Sequence, residues 1–316
     1  MTWRSTVGWS SRAIKKYDLV DQKEFVQLTY EGLRNGYVYG NGMAWADAEA
    51  AARASLSAQL GGEHYNPFKK YDADGNNLYT WDNIIDPATG QVRPDAQSVW
   101  DENWMDAIKK DNAFRHEHQL SVNGGTDRTK YIFSLGYVNE DGILKTTNFQ
   151  RYNGRANIDT QVTNWFKTNI NVSLAHSKTN LNDYEDTSTS NVWYTAQFIS
   201  PLFPTYLKDL DGNDVLDSSG NRQLDYGDNK ELGLRFGNLS DFNSLGGLVD
   251  DKAERQRDIA GLRTGMVFGT DDAKAGWLQG VKLSLNFGLD YENQLRMRYM
   301  NMYHGNQAKA GGLIQK

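Results

Sequence analysis

HQLSVNGGTDRTKYIFSLGYVNEDG, His118 to Gly142, reads as two runs of alternating apolar and polar residues hinged on Gly-Gly-Thr-Asp. In the second run Tyr131, Phe133, Leu135 and Tyr137 share one face while Ser134 and Gly136 sit opposite, the period-two geometry of a strand. One side is oily. The other faces either bulk solvent or a water-filled interior, and the two choices lead to different proteins.

The same alternation recurs along the chain. VKLSLNFGLDYEN sets Val281, Leu283, Leu285, Phe287, Leu289 and Tyr291 against Lys282, Ser284, Asn286, Gly288, Asp290 and Glu292. FQRYNGRANID places Arg151, Asn153, Arg155, Asn157 and Asp159 opposite Tyr152, Gly154, Ala156 and Ile158. FKTNINVSLAHS sets Phe166, Ile170, Val172 and Leu174 against Lys167, Asn169, Asn171 and Ser173. Weaker alternation marks WRSTVGW, HEHQLSVN and IAGLRTGMVFG, giving seven strands. Tight links at Gly124–Arg128 and Asp159–Asn164 and a modest one at Thr270–Gly280 contrast with links of roughly a hundred and almost eighty residues, far above ordinary loop lengths. Short turns at one end and long loops at the other describe an outer-membrane barrel.

The long links carry helices of their own. DQKEFVQLTYEGLRNG has Asp21 as N-cap, Glu24 at capping-box spacing and Gly36 past the end. Trp45 to Gly62 is alanine-rich and helical, and PDAQSVWDENWMDAIKK spaces Trp100, Trp104 and Ile108 as one helical stripe, read as packing beneath the loop in preference to sugar stacking.

Composition excludes several functions. A net charge of -6 and a pI near 5.4 argue against nucleic-acid binding, which leans on clustered Lys and Arg. With no cysteine there is no disulfide, thiolate metal site or Cys nucleophile. No run approaches the roughly 18 apolar residues of a spanning helix, but a spanning strand needs only about 9 to 11 alternating residues. His116 and His118 share a strand face without a third zinc ligand, and DADGNN at Asp72 and DLDGND at Asp209 read first as turns and second as weak calcium sites through Asp209, Asp211 and Asn213. No hydrolase or phosphate-binding motif appears, and the acids Asp183, Glu185 and Asp186 read as solvated loop charge. No enzyme activity and no cofactor are expected.

From Ser121 to Ile143 the chain carries S-x-x-G-G-T-D-x-x-x-Y-x-x-S-x-G-Y-x-x-x-x-G-I, followed by R-Y-N-x-R-x-N from Arg151 to Asn157. That run resembles the SusC/RagA family of TonB-linked outer-membrane transporters; YDLVDQKEFVQLTYEGLRN, SPLFPTYLKDLDGN and LQGVKLSLNFGLDY look like further parts of its wall and loops. The resemblance implies an all-β fold with helical loop insertions, a partial antiparallel transmembrane β-barrel of about seven strands from a plugged barrel of about 22. Residues 1–316 are then expected to be an internal piece of a barrel domain: 12–113 a long extracellular insertion with helices, 114–176 barrel hairpins, 177–256 a long extracellular loop, and 257–300 a further hairpin, with plug and remaining barrel outside the chain.

On this resemblance Tyr131, Phe133, Leu135 and Tyr137 face outer-membrane lipid, while Arg151, Arg155, Asp159, Lys167 and Asn171 face the lumen and pair with neighbouring strands or the plug. The implied partners are the TonB complex, a SusD-like lipoprotein and an oligosaccharide or peptide substrate, in the outer membrane of a Gram-negative, Bacteroidota-like bacterium. Candidate ligand contacts are the loop aromatics Trp193, Tyr194 and Phe198. The competing reading is a secreted β-rich glycan-binding module without transport, in which Leu283, Leu285, Phe287 and Leu289 would pack beneath a second layer.

Overall fold

The computed structural model describes residues 1–13, 18–181, 192–226, 243–269, 279–300 and 312–315. Alternation becomes strand throughout: β1 (Thr2–Ser10), a two-residue pair β2 (Ile85–Asp86) and β3 (Gln91–Val92), β4 (Ala113–Gly125), β5 (Thr129–Asp141), β6 (Asn148–Thr163), β7 (Phe166–Leu181), β8 (Lys252–Gly269), β9 (Lys282–Met300) and β10 (Gly312–Gln315). The eight longer members form one antiparallel sheet in the order β1-β4-β5-β6-β7-β8-β9-β10. Seven match the strands read from sequence; β10 and the β2–β3 pair were not foreseen.

Strands of 13 to 19 residues from β4 to β9 are more than twice the length of the usual strand of about 5–6 residues. β7 runs to Leu181 and β8 begins at Lys252, so each extends into the expected loop 177–256. The reason is chemical: Lys178 and Asn180 on β7 face Gln256 and Glu254 on β8, so polar residues line both sides and the apolar alternation that marks a strand fades.

The connections sort by end. The turns Gly125–Thr129 and Thr163–Phe166 lie at one end, where β8 also ends and β9 begins; residues 18–112, 142–147, 192–226 and 243–251 lie at the other. The two long insertions fold together there as a cap.

In the first insertion, α1 (Gln22–Asn35) begins at a complete capping box: Asp21 accepts the Glu24 amide at 2.8 Å and Glu24 accepts the Asp21 amide at 3.2 Å. α2 (Trp45–Leu60) ends on Gly61 in the left-handed region. Helix α3 covers only Trp104–Ile108, shorter than the expected stripe, because Asn103 caps it and leaves Trp100 outside. The second insertion adds α4 (Val192–Phe198) and α5 (Ser244–Val249).

Among the described residues, burial is concentrated in the cap. One cluster joins Val26, Tyr30, Leu56, Phe68, Trp81 and Ile84 of the first insertion to Leu202 of the second; another joins Trp104, Met105 and Ile108 to Val192, Ala196, Leu245 and Leu248. Trp100 and Trp104 are therefore core residues, the packing role expected for them. Among the described residues, Ala113 is the one apolar side chain buried within a strand of the large sheet.

Candidate functional site

Residues directly opposite across antiparallel strands share a face, so the register sorts every side chain of the sheet. Successive rows Tyr131–Ile158–Ile170–Thr264–Phe287, Phe133–Ala156–Val172–Leu262–Leu289 and Leu135–Gly154–Leu174–Ala260–Tyr291 build one apolar face. Among the described residues no second layer covers it. Leu283, Leu285, Phe287 and Leu289 are each 51–58% exposed, the arrangement that the secreted-module reading required them not to have.

Aromatic and polar rows bound this face. Beside the short turns Phe166 stacks on Phe268 at 4.8 Å, with Trp165 against the same ring. Toward the cap a row runs Ser5, His118, Tyr137, Tyr152, His176, Asp258 and Asn293. Within it the Tyr137 and Tyr152 rings lie 4.7 Å apart, and His176 Nδ1 is 2.7 Å from Asp258 Oδ1. His118 bonds Ser5 through Nδ1 at 2.9 Å and His116 Nδ1 through Nε2 at 3.1 Å, so both of its ring nitrogens are engaged within the sheet.

The opposite face is polar. Arg151, Arg155, Asp159, Lys167 and Asn171 all project there, as their common parity in β6 and β7 requires. Ion pairs on this side join Arg115 to Glu117 and Glu140, Arg257 to Glu292, and Arg263 to Asp290. Of the two partners expected for Arg151, Arg155, Asp159 and Lys167 the plug lies outside the chain, and among the described residues no ion pair ties any of the four to a neighbouring strand. Their cross-strand neighbours explain it for three of them: Arg155 lies between Ser134 and Ser173, Arg151 between Val138 and Ser177, and Lys167 between Gln161 and Val267.

The loop aromatics part company. Trp193 leans on the second core cluster with the Arg12 guanidinium 5.1 Å from its ring, whereas Tyr194 and Phe198, one helical turn apart, form an outward ring pair at 4.6 Å. Phe198 is 71% exposed. Together they rim a cavity of about 340 Å³ where the insertions meet, lined also by Phe25, Gln59 and Leu60 of the first and by Ile199 and Phe203 of the second. Sequence reasoning missed those five, since pairing across the insertions leaves no local period.

The Asp-Gly stretches are turns. Asp72 accepts the amides of Asp74 and Asn76, and Asp209 those of Asp211 and Asn213, with Gly75 and Gly212 at positive φ. A third copy, Asp217 to Asn221, has the same bonds. Hydrogen bonding from the Asn76 amide holds the Asp72 carboxyl below its ordinary range, while Asp211 bonds the Tyr71 hydroxyl at 2.7 Å and pushes it up to about 12. Among the described residues no group of three or more His, Cys, Asp or Glu is arranged to hold a metal. Asp183, Glu185 and Asp186 lie outside the described residues.

Comparison with known proteins adds ancestry to this geometry. No protein-family model matches the chain. The TonB-dependent receptor SusC of Bacteroides thetaiotaomicron is 31% identical over 140 residues, 44% of this chain and 13% of SusC. TonB-dependent receptor P3 of Formosa agariphila is 33% identical over 70 residues, 22% of this chain and 7% of that receptor. A solved RagAB peptide importer in its closed-closed state superposes with a TM-score of 0.59 over 94% of this chain and 28% of that one, at 16% identity; a RagAB peptide transporter structure gives 0.55 over 96% and 29%. In sequence the chain is similar to SusC-like TonB-dependent receptors, over less than half of its length. It spans about an eighth of SusC and under a third of the RagAB chain, and the likeness to the latter concerns fold. Among the described residues no helix is long and apolar enough to cross a membrane.

Proposed function

We propose that the chain supplies part of the wall and extracellular cap of a SusC-like transporter in a Gram-negative outer membrane, importing oligosaccharides or peptides. One observation carries the reading: a long-stranded sheet whose apolar face is uncovered among the described residues, with short turns at one end and a folded cap at the other.

The dimensions agree with a bilayer. From the Phe166 row to the His176 row is ten residues along β7, or ~33 Å at 3.3 Å per residue. Barrel strands tilt by ~35–45°, which projects that length to ~23–27 Å, against an apolar band of ~25 Å in outer-membrane barrels. Aromatic rows at both limits fit the two interfaces.

The polar face then lines the bore. Arg151, Arg155, Asp159 and Lys167, which make no ion pair to an adjacent strand among the described residues, are groups that can hold a plug or meet cargo. Energy reaches such a plug through the TonB complex, and a SusD-like lipoprotein closes the mouth above the cap. The chain's role is mechanical and recognitional, with no bond made or broken.

Location tests the reading. In cells, the protein should fractionate with outer membranes and migrate as a compact form on gels until boiled. Recovery as a soluble monomer, with Leu283 and Phe287 shielded from a membrane-confined photolabel, would overturn it.

A further inference from the structure

We infer that the cavity between the insertions receives an apolar side chain of a peptide cargo and not a sugar ring; the inference rests on the transporter reading and narrows its substrate class.

The lining decides between the two. Phe25, Leu60, Phe198, Ile199 and Phe203 present carbon to the cavity, and about 340 Å³ is at the lower end of small-molecule sites, ~300–1,000 Å³. Polar side chains there are few and largely engaged. The Ser200 hydroxyl already accepts the Leu202 amide at 3.2 Å and Thr195 is buried, so the exposed polar groups are the Gln59 amide and the Tyr194 hydroxyl at the rim. A pyranose entering would strip water from several hydroxyls that the walls cannot bond, and each unpaired polar group weakens binding. A leucine or phenylalanine side chain loses nothing there and gains the ring contacts of Tyr194 and Phe198.

A second hollow gives the peptide backbone a place. Gln59 also borders an opening of about 470 Å³ lined by Thr29, Gly32, Leu33, Gly36, Tyr37 and Asn41. A Cβ built on Gly32 or Gly36 would meet nothing within 4 Å, so chain can lie close to α1 here. An apolar pit beside a more polar trench matches a polymer whose apolar groups branch from an amide backbone.

The test uses the transporter carrying this cap, purified from outer membranes in detergent. Its probes are a fluorescein-labelled short peptide with one central Phe, the same peptide with Ser in its place, and an unlabelled glucan oligosaccharide as competitor. The Phe peptide should bind about tenfold or more tightly than the Ser peptide, with no displacement by the glucan. Phe198→Ala, which removes a largely exposed ring, and Gln59→Trp, which covers the opening from α2, should each erase the difference between the peptides. Equal binding of the two peptides, no binding of either, or glucan binding weakened by Phe198→Ala overturns the inference. So does a variant that lowers lipoprotein recovery alone, since the cavity would then seat the partner. Each of these outcomes in a correctly membrane-inserted protein leaves the transporter reading standing; loss of membrane insertion itself is the failure of that reading.

Discussion

Trp104 donates its indole N–H to the backbone carbonyl of Phe203 at 2.9 Å, tying the first insertion to the second across 99 residues of sequence. Trp100 does the same to Leu202 at 3.0 Å. Both indoles are almost fully buried, so neither carbonyl has water as a ready substitute. Trp104→Phe keeps most of the apolar volume and deletes the donor, and should loosen the cap by about 1 kcal/mol. Hydrogen exchange at residues 200–207 reads the change. Unaltered protection there would mean that the bond contributes nothing to joining the insertions.

Phe287 and Ser284 sit on opposite faces of β9. Arginine at Phe287 places a charge in mid-belt and should cost insertion ~2–4 kcal/mol, whereas arginine at Ser284 enters the wet side at little cost. Folding yield into lipid vesicles, scored by heat-modifiable mobility, separates them. Equal yields would remove the assignment of faces.

Gly212 and Gly220 occupy the same place in two copies of one turn, at φ of +87° and +82°. Alanine at either forces a side chain into the left-handed region, about 1–2 kcal/mol. Only at Gly212 would the new Cβ also meet Val99 Cγ2, at 2.3 Å, while nothing lies within 4 Å at Gly220. Gly212→Ala should therefore lower the cap's melting temperature clearly more than Gly220→Ala, and equal shifts would refute the clash.

His64 is 7% exposed in the first insertion, with its ring edge-on to Tyr65. Burial, reinforced by Lys69 and opposed by Asp209, holds its pKa below the ordinary 6.5. The unfolded segment thus binds the proton more readily than the folded one. Cap stability is intact above about pH 6.5 and falls as acid is added below it, levelling off once the folded imidazole titrates. Trypsin cleavage of the cap should accelerate between pH 7 and about pH 5 in the wild type, after correction for the enzyme's own profile. In His64→Gln that acceleration should shrink; an identical pH response would exonerate the histidine.

Much of the wall was legible because a strand exposed differently on its two sides writes its environment into every second residue, as Leu283 to Tyr291 and Arg151 to Asp159 do. Local chemistry was legible too: Asp21 and Glu24 bond as their spacing requires. What escaped depends on distant partners. Trp100, left outside α3 by the Asn103 cap, bonds its indole to Leu202 of the other insertion, and the ends of β7 and β8 are strand where Lys178 and Glu254 meet across the sheet at 2.6 Å. The candidate cavity is the same case. Phe198 was visible as an aromatic in a loop, but Phe25 and Leu60 become its neighbours only when the two insertions close on each other.

Cap and wall draw on almost separate sets of residues: the buried side chains of the one lie in the insertions, and the strands of the other hold theirs together through backbone pairing. Heredity can exploit that division. A lineage meeting a new nutrient can redraft the crown by insertion, deletion or recombination while the staves beneath keep their register, so descendants should diverge fastest above the Tyr137–Tyr152 row and slowest below it.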